Sequence, residues 1–139
     1  MRPILLVEDN ADDVELTRMA LEHEHVANPM DVARDGVEAL AVLEDSSKPV
    51  PILVLLDLKL PRISGLEVLR RLRANQRTHN VPVVVLTSSR EDSDLGSTYD
   101  SGANAYVRKP VDFDRFTEVV RQLGLFWLVT NEPPPETSA

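Results

Sequence analysis

Four short apolar runs rich in β-branched residues limit what this chain can fold into. They are PILLV (3–7), ILVLL (52–56), VPVVVLT (81–87) and AYV (105–107), with a weaker one at MDVAR (30–34). Runs of this length, bounded by turn residues, read as strands. ILVLL shows no polar alternation, the pattern of a strand buried on both faces, as in parallel sheets. Between the runs lie segments with helical spacing. ADDVELTRMALEH (11–23) places Val14, Leu16 or Thr17, and Leu21 on one face, with Asn10 as N-cap and acids in the first turn. GVEALAVLE (36–44) repeats at Val37, Leu40 and Leu43. GLEVLRRLRAN (65–75) aligns Leu66, Leu69 and Leu72 and turns Arg70, Arg71 and Arg73 elsewhere. DFDRFTEVVRQLGLFWL (112–128) opens at a capping Asp112. Strands alternating with helices predict an α/β fold, a doubly wound five-stranded parallel sheet flanked by five helices.

Composition narrows the function classes. A chain of 139 residues builds one ordinary domain with a real core. With 42% hydrophobic and 27% charged residues it reads as globular. No apolar stretch approaches the roughly 18 residues of a membrane span, and MRPILLVED lacks the small-residue cleavage site of a signal peptide. Without cysteine there are neither disulfides nor thiolate metal sites. A net charge of −8 and a pI near 4.8 argue against a basic nucleic-acid-binding face. The expectation is a cytoplasmic protein that binds neither membrane nor nucleic acid.

In doubly wound sheets, ligands bind outside the carboxyl ends of the strands, where strand order reverses. The residues at those ends are therefore the candidates. The first run ends in Glu8 and Asp9, the third in Asp57, the fourth in Thr87, Ser88 and Ser89, and the fifth in Arg108, Lys109 and Pro110. An isolated carboxylate at the end of an apolar strand is costly to bury, so Asp57 belongs at the mouth of its strand. Taken singly, each group has a plainer reading as a helix cap, turn or loop residue. Together, three carboxylates, a hydroxyl and an ammonium on one edge describe an oxygen-rich site for a hard cation beside a phosphoryl group. Mg²⁺ prefers one or two carboxylates, waters and phosphate oxygens, and a lysine is a point cation for phosphate.

The segments LLVEDNADD, ARDGVEAL, LLDLKLPRISGLEVL, VPVVVLTSS and SGANAYVRKPVD resemble, as a set, those of two-component response regulator receiver domains. The resemblance covers about residues 2–124 and implies the flavodoxin-like receiver fold. It implies that Asp57 is the phosphoacceptor. Glu8, Asp9, Asp57 and the backbone carbonyl of Lys59 would hold Mg²⁺. Thr87 would be the switch hydroxyl, Tyr106 the switch aromatic and Lys109 the phosphate-contacting cation. The Lys109–Pro110 bond would be the family's cis peptide. The partner implied is a histidine kinase whose phosphohistidine Asp57 attacks, and the output is a phosphorylation-dependent surface change or a phosphorelay. FWL after the last helix resembles the small stand-alone regulators of phytochrome-type histidine kinases, which act without a DNA-binding output domain. Two other classes compete: a phosphorylation-independent interaction module, and an Mg²⁺-dependent phosphatase with an aspartyl-phosphate intermediate. The phosphatase pattern wants an acid two residues after the nucleophile, where this chain has Lys59.

Other features are particular to this chain. EDSDLGSTYDSG contains the weak helix formers Asp94, Gly96, Ser97 and Thr98, which predicts a short or mobile fourth helix. Lys59 and Ser89 would flank the water path to the acyl phosphate, with the Lys59 side chain either pairing there or projecting into solvent. Beyond a receiver domain over 1–124, residues 125–130 form an apolar extension. Val119, Leu123, Phe126, Trp127 and Leu128 predict a homodimer interface. Residues 131–139 are proline-rich and polar, the composition of a disordered tail.

Overall fold

In the computed structural model, the described residues are 2–87, 102–108, 114, 117, 118 and 121; of Thr87, Tyr106 and Arg108 only the backbone is described. Eight elements follow in chain order: β1 (Ile4–Val7), α1 (Ala11–His23), β2 (Met30–Ala33), α2 (Gly36–Leu43), β3 (Leu53–Asp57), α3 (Gly65–Ala74), β4 (Val83–Thr87) and β5 (Ala105–Arg108). Asp114, Thr117, Glu118 and Arg121, in the expected fifth helix, have helical backbone. The proposed fourth helix through Ser101, Ser88, Ser89, Lys109, Pro110, the Asp112 cap, and the interface residues Val119, Leu123, Phe126, Trp127 and Leu128 lie outside the described residues, as does the tail.

All strand pairs are parallel, in the order β2-β1-β3-β4-β5. The chain leaves β1 towards β2 on one side and returns to β3 on the other, so the reversal of strand order lies between β1 and β3. The expected doubly wound α/β sheet is the fold observed.

Strand alternation divides the core in two. Leu5, Val7, Val54, Leu56, Val83 and Val85 face α2 and α3, meeting Ala39, Leu40, Leu43, Val68, Leu69 and Leu72. Ile4, Leu6, Leu53, Leu55, Val84 and Leu86 pack with Val14, Ala20 and Leu21 of α1. Every residue of β3 is buried, as the unalternating run requires.

Helices α1, α2 and α3 each begin on a side-chain cap. Asn10 accepts from the Asp12 and Asp13 N–H groups at 2.9 and 3.1 Å. Asp35 accepts from Glu38 at 2.8 Å, and Ser64 from Glu67 at 3.2 Å. Such caps satisfy N–H groups that have no partner within the helix. Of the two α1 positions that the sequence offered, Thr17 is buried and Leu16 half-buried, and the Thr17 hydroxyl is satisfied by donating to the Asp13 carbonyl at 2.8 Å. The faces of α2 and α3 differ in detail from the sequence reading. In α2 and α3, Ala39 and Val68 are buried whereas Val37 and Leu66 are only half-buried.

The far edge of the sheet is tied by arginines. Arg77 donates to the carbonyls of Leu43, Asp45 and Lys48 at 3.3, 3.1 and 2.7 Å. Arg2 donates to Val50 and Pro51. Arg73 donates to Gly102, Asn104, His79 and Val81. Burial without a carboxylate partner among the described residues lowers the Arg73 guanidinium from its ordinary pKa.

Candidate metal centre

The parallel register sets the site. Leu6 pairs with Leu55 and Val7 with Leu56, so the next step brings Glu8 alongside Asp57. Both follow residues of the α1-facing half of the core by an even count, so both carboxylates leave the sheet on the same side. The carboxylates of Glu8, Asp9 and Asp57 each offer an oxygen, and these oxygens lie within 4.8 Å of one another. Glu8 is 1% exposed and Asp57 5%, whereas Asp9 is exposed. The cluster thus has two buried members and one facing solvent.

Backbone donors orient it. The Asn10 N–H donates to Glu8 Oε2 at 3.3 Å, and the Lys59 N–H to Asp57 Oδ1 at 3.0 Å. The Glu8 N–H stays in the ladder, donating to Ala33 at 2.9 Å. Beyond Asp57 the chain turns sharply. The Leu58 N–H donates to the Leu86 carbonyl at 3.3 Å, and the Leu58 carbonyl accepts from Gly65 at 2.9 Å. This last bond brings the first residue of α3 against the end of β3. A Cβ on Gly65 would lie 2.2 Å from the Asp57 carbonyl oxygen and 2.6 Å from Leu58 Cα. Only glycine permits that approach.

The loop from Leu58 to Ser64 is also braced from α2. Arg62 has φ +71°, a left-handed conformation uncommon for a residue with a Cβ. Its guanidinium lies 3.7 Å from Asp35, the α2 cap. A Cβ on Gly36 would lie 2.3 Å from the Ile63 carbonyl oxygen, so α2 begins in contact with this loop.

The donor set fits a hard divalent cation. Three carboxylates within 4.8 Å repel one another, and a cation among them removes that repulsion. All the donors are oxygens, which favour Mg²⁺ or Mn²⁺ over soft metals. Of the residues expected at the site, the structure brings Glu8, Asp9 and Asp57 together. The Lys59 amide is bound to Asp57, and its side chain is exposed. Thr87 ends β4 one position beyond Leu86, the register partner of Asp57, and Tyr106 is the second residue of β5, paired with Val85. Lys109 lies outside the described residues. Sequence reasoning missed Gly65, for which the signal was a glycine directly after a capping serine in ISGLEVL.

The chain matches the model of the response regulator receiver domain over residues 4–121. A curated relative, response regulator Rcp1 of Synechocystis sp., is 35% identical over 131 residues, covering 91% of this chain and 89% of the relative. Among solved structures, the Mn²⁺-bound form of response regulator Rcp1 superposes with a TM-score of 0.84 at 34% identity, over 97% of this chain and 100% of that one. The phosphorylated cyanobacterial phytochrome response regulator RcpA gives 0.82 at 35%, over 96% and 99%. The bacteriophytochrome response regulator AtBRR gives 0.75 at 50%, over 95% and 99%.

Proposed function

The chain belongs to the response regulator receiver domain family of two-component signalling, and on that premise we propose that Asp57 is its phosphoacceptor and that Glu8, Asp9, Asp57 and the Lys59 carbonyl hold Mg²⁺. The observation that carries this reading is the meeting of Glu8, Asp9 and Asp57 within 4.8 Å at the reversal of strand order. Phosphorylated and Mn²⁺-bound relatives of the same fold support it.

An Asp57 carboxylate oxygen attacks the phosphorus of a kinase phosphohistidine. The O–P bond forms, the P–N bond breaks, and its electron pair returns to the imidazole, which takes up a proton. Mg²⁺, when bound, would neutralise charge on the transferring phosphoryl oxygens. The Lys59 N–H holds Asp57 Oδ1 and so fixes the orientation of the attacking carboxylate. Burial of Glu8 and Asp57 limits the water that competes with the phosphodonor. The product carries close to two negative charges and three acceptor oxygens. Thr87 and Lys109 contact those oxygens, and Tyr106 changes position as Thr87 moves. The charge placed at the site is thereby read out on a surface.

The phosphodonor is a histidine kinase of the phytochrome type, in line with the similarity to the phytochrome response regulator RcpA and the bacteriophytochrome response regulator AtBRR. Residues 1–124 form the receiver, and the apolar residues Val119, Leu123, Phe126, Trp127 and Leu128 join two copies. The protein works in the cytoplasm. Among the described residues no helix is long and apolar enough to cross a membrane.

Acetyl phosphate with Mg²⁺, followed by mass measurement of wild type and Asp57→Asn, tests the central claim. One added phosphoryl group on wild type and none on the variant is expected. Equal labelling of both, or of neither, refutes it.

A further inference from the structure

Arg73, in the last turn of α3, is an unusual arginine. Its Nε and Nη2 both donate to the Gly102 carbonyl, at 2.9 and 2.6 Å. Nη2 also reaches Asn104 Oδ1 at 2.9 Å. Nη1 donates to the carbonyls of Val81 at 2.6 Å and His79 at 2.9 Å. One guanidinium thus joins the chain entering β4 to the turn entering β5. The Asn104 amide closes the link. Its Oδ1 accepts from the Val83 N–H at 2.8 Å, and the Asn104 backbone N–H donates to the Val83 carbonyl at 2.8 Å.

Gly102 has φ +101°, a conformation that glycine adopts without strain. The Arg73 Nε, Cγ and Cδ lie 2.8–3.1 Å from where a Cβ on Gly102 would stand. The arginine stem therefore occupies the space that a side chain at position 102 would need.

β5 needs such an anchor. It is an edge strand of four residues, paired only with β4 among the described strands. Tyr106 is its second residue, and Lys109 follows its last. Where β5 lies along β4 decides where the chain delivers both. A lysine in place of Arg73 would keep the charge but not the planar fork that spans four acceptor groups.

We infer that Arg73 is a positioning residue for the phosphoryl site, acting from the opposite edge of the sheet by fixing the entry of β5 against β4. The inference rests on the phosphoacceptor reading above for its functional half, and its structural half is tested separately.

The experiment compares full-length wild type and Arg73→Lys, well below the melting temperature of either. Amide hydrogen exchange without phosphodonor is expected to rise at least tenfold over residues 102–108 and to stay within twofold in β1 and β3. Mn²⁺ affinity stays within twofold, because Glu8, Asp9 and Asp57 are on β1 and β3. The maximal rate of labelling by acetyl phosphate falls at least fivefold. A merely structural arginine would lower the melting temperature and leave the labelling rate of the folded protein unchanged, and that result overturns the inference. Exchange that rises equally in all strands also overturns it. If Arg73→Lys does not fold, Asn104→Ala removes one acceptor and is held to the same criteria. If wild type takes up no phosphoryl group, the phosphoacceptor reading fails, and the exchange pattern alone decides whether Arg73 anchors β5.

Discussion

Replacing Gly65 with alanine tests whether the end of β3 and the start of α3 form one rigid joint. In an unconstrained helix the substitution stabilises, because alanine has the higher helix propensity, by about 1 kcal/mol at most. Here the added methyl meets the Asp57 carbonyl oxygen at 2.2 Å and Leu58 Cα at 2.6 Å, whereas ordinary contact begins at 3.4 Å. Both neighbours are backbone, so no side chain can rotate away. The start of α3 has to retreat by roughly 1 Å, stretching the Gly65–Leu58 hydrogen bond, now 2.9 Å. Overpacking on this scale costs about 1–3 kcal/mol. Because neither backbone neighbour can rotate away, the cost lies in the upper part of that range, and after the propensity gain a net loss of about 1–2 kcal/mol lowers the melting temperature by about 3–8 °C for a chain of this size. The loop that moves carries the Lys59 amide bound to Asp57, so Mn²⁺ affinity falls in the same variant. Thermal melts by circular dichroism and a calorimetric Mn²⁺ titration read the two effects. A Gly65→Ala protein that melts at or above the wild-type temperature would show that propensity governs this position and that the joint is slack.

Three further outcomes follow from the geometry. Glu8→Gln removes one of the three clustered carboxylates and weakens Mn²⁺ binding at least tenfold, about 1.4 kcal/mol; an unchanged calorimetric titration would take Glu8 out of the ligand set. Thr78 is 1% exposed and donates to the Leu72 carbonyl at 2.6 Å, so Thr78→Val leaves that carbonyl without its donor and costs about 1–3 kcal/mol in urea unfolding. Asp45 accepts from the Ser47 hydroxyl and backbone N–H, which hold its carboxyl below the ordinary range. A lowered folded pKa gives stability that is present above the unfolded value and is lost as pH falls through the folded one. Asp45→Asn is therefore less stable than wild type near neutral pH and converges with it in acid, and melts that stay parallel down to pH 2 would contradict the assignment.

Much of this was legible in the sequence because it rests on period and position. ILVLL announced a strand buried on both faces, and Asp57 follows it directly. Asn10 before ADDVELT announced the cap of α1. Glu8, Asp9 and Asp57 could be grouped because parallel strands present their carboxyl ends along one edge. Other features leave no periodic trace. Arg73 and Arg77 look like solvent-facing members of α3 and its exit. Yet they turn inward to backbone carbonyls 29–34 positions away in sequence, satisfying loops whose own residues signal nothing. Helical spacing left Leu16 and Thr17 both open in α1, and the bond to the preceding turn that satisfies the buried Thr17 hydroxyl is not something a hydropathy pattern registers. The closeness of Gly65 to Asp57 depends on the path of the seven-residue loop between them, which composition alone does not specify.

The shared even count from Leu6 to Glu8 and from Leu55 to Asp57 makes the site intolerant of insertions in a way that its hydropathy is not. One residue added or removed between Leu53 and Leu56 would leave an apolar strand that still pairs with β1. The two halves of the core would exchange their β3 side chains, most of them leucine or valine and nearly interchangeable in volume. Asp57, however, would shift one step and emerge on the α2 and α3 face, away from Glu8. The fold's reading frame, so to speak, is kept by three carboxylates more strictly than by any of the leucines.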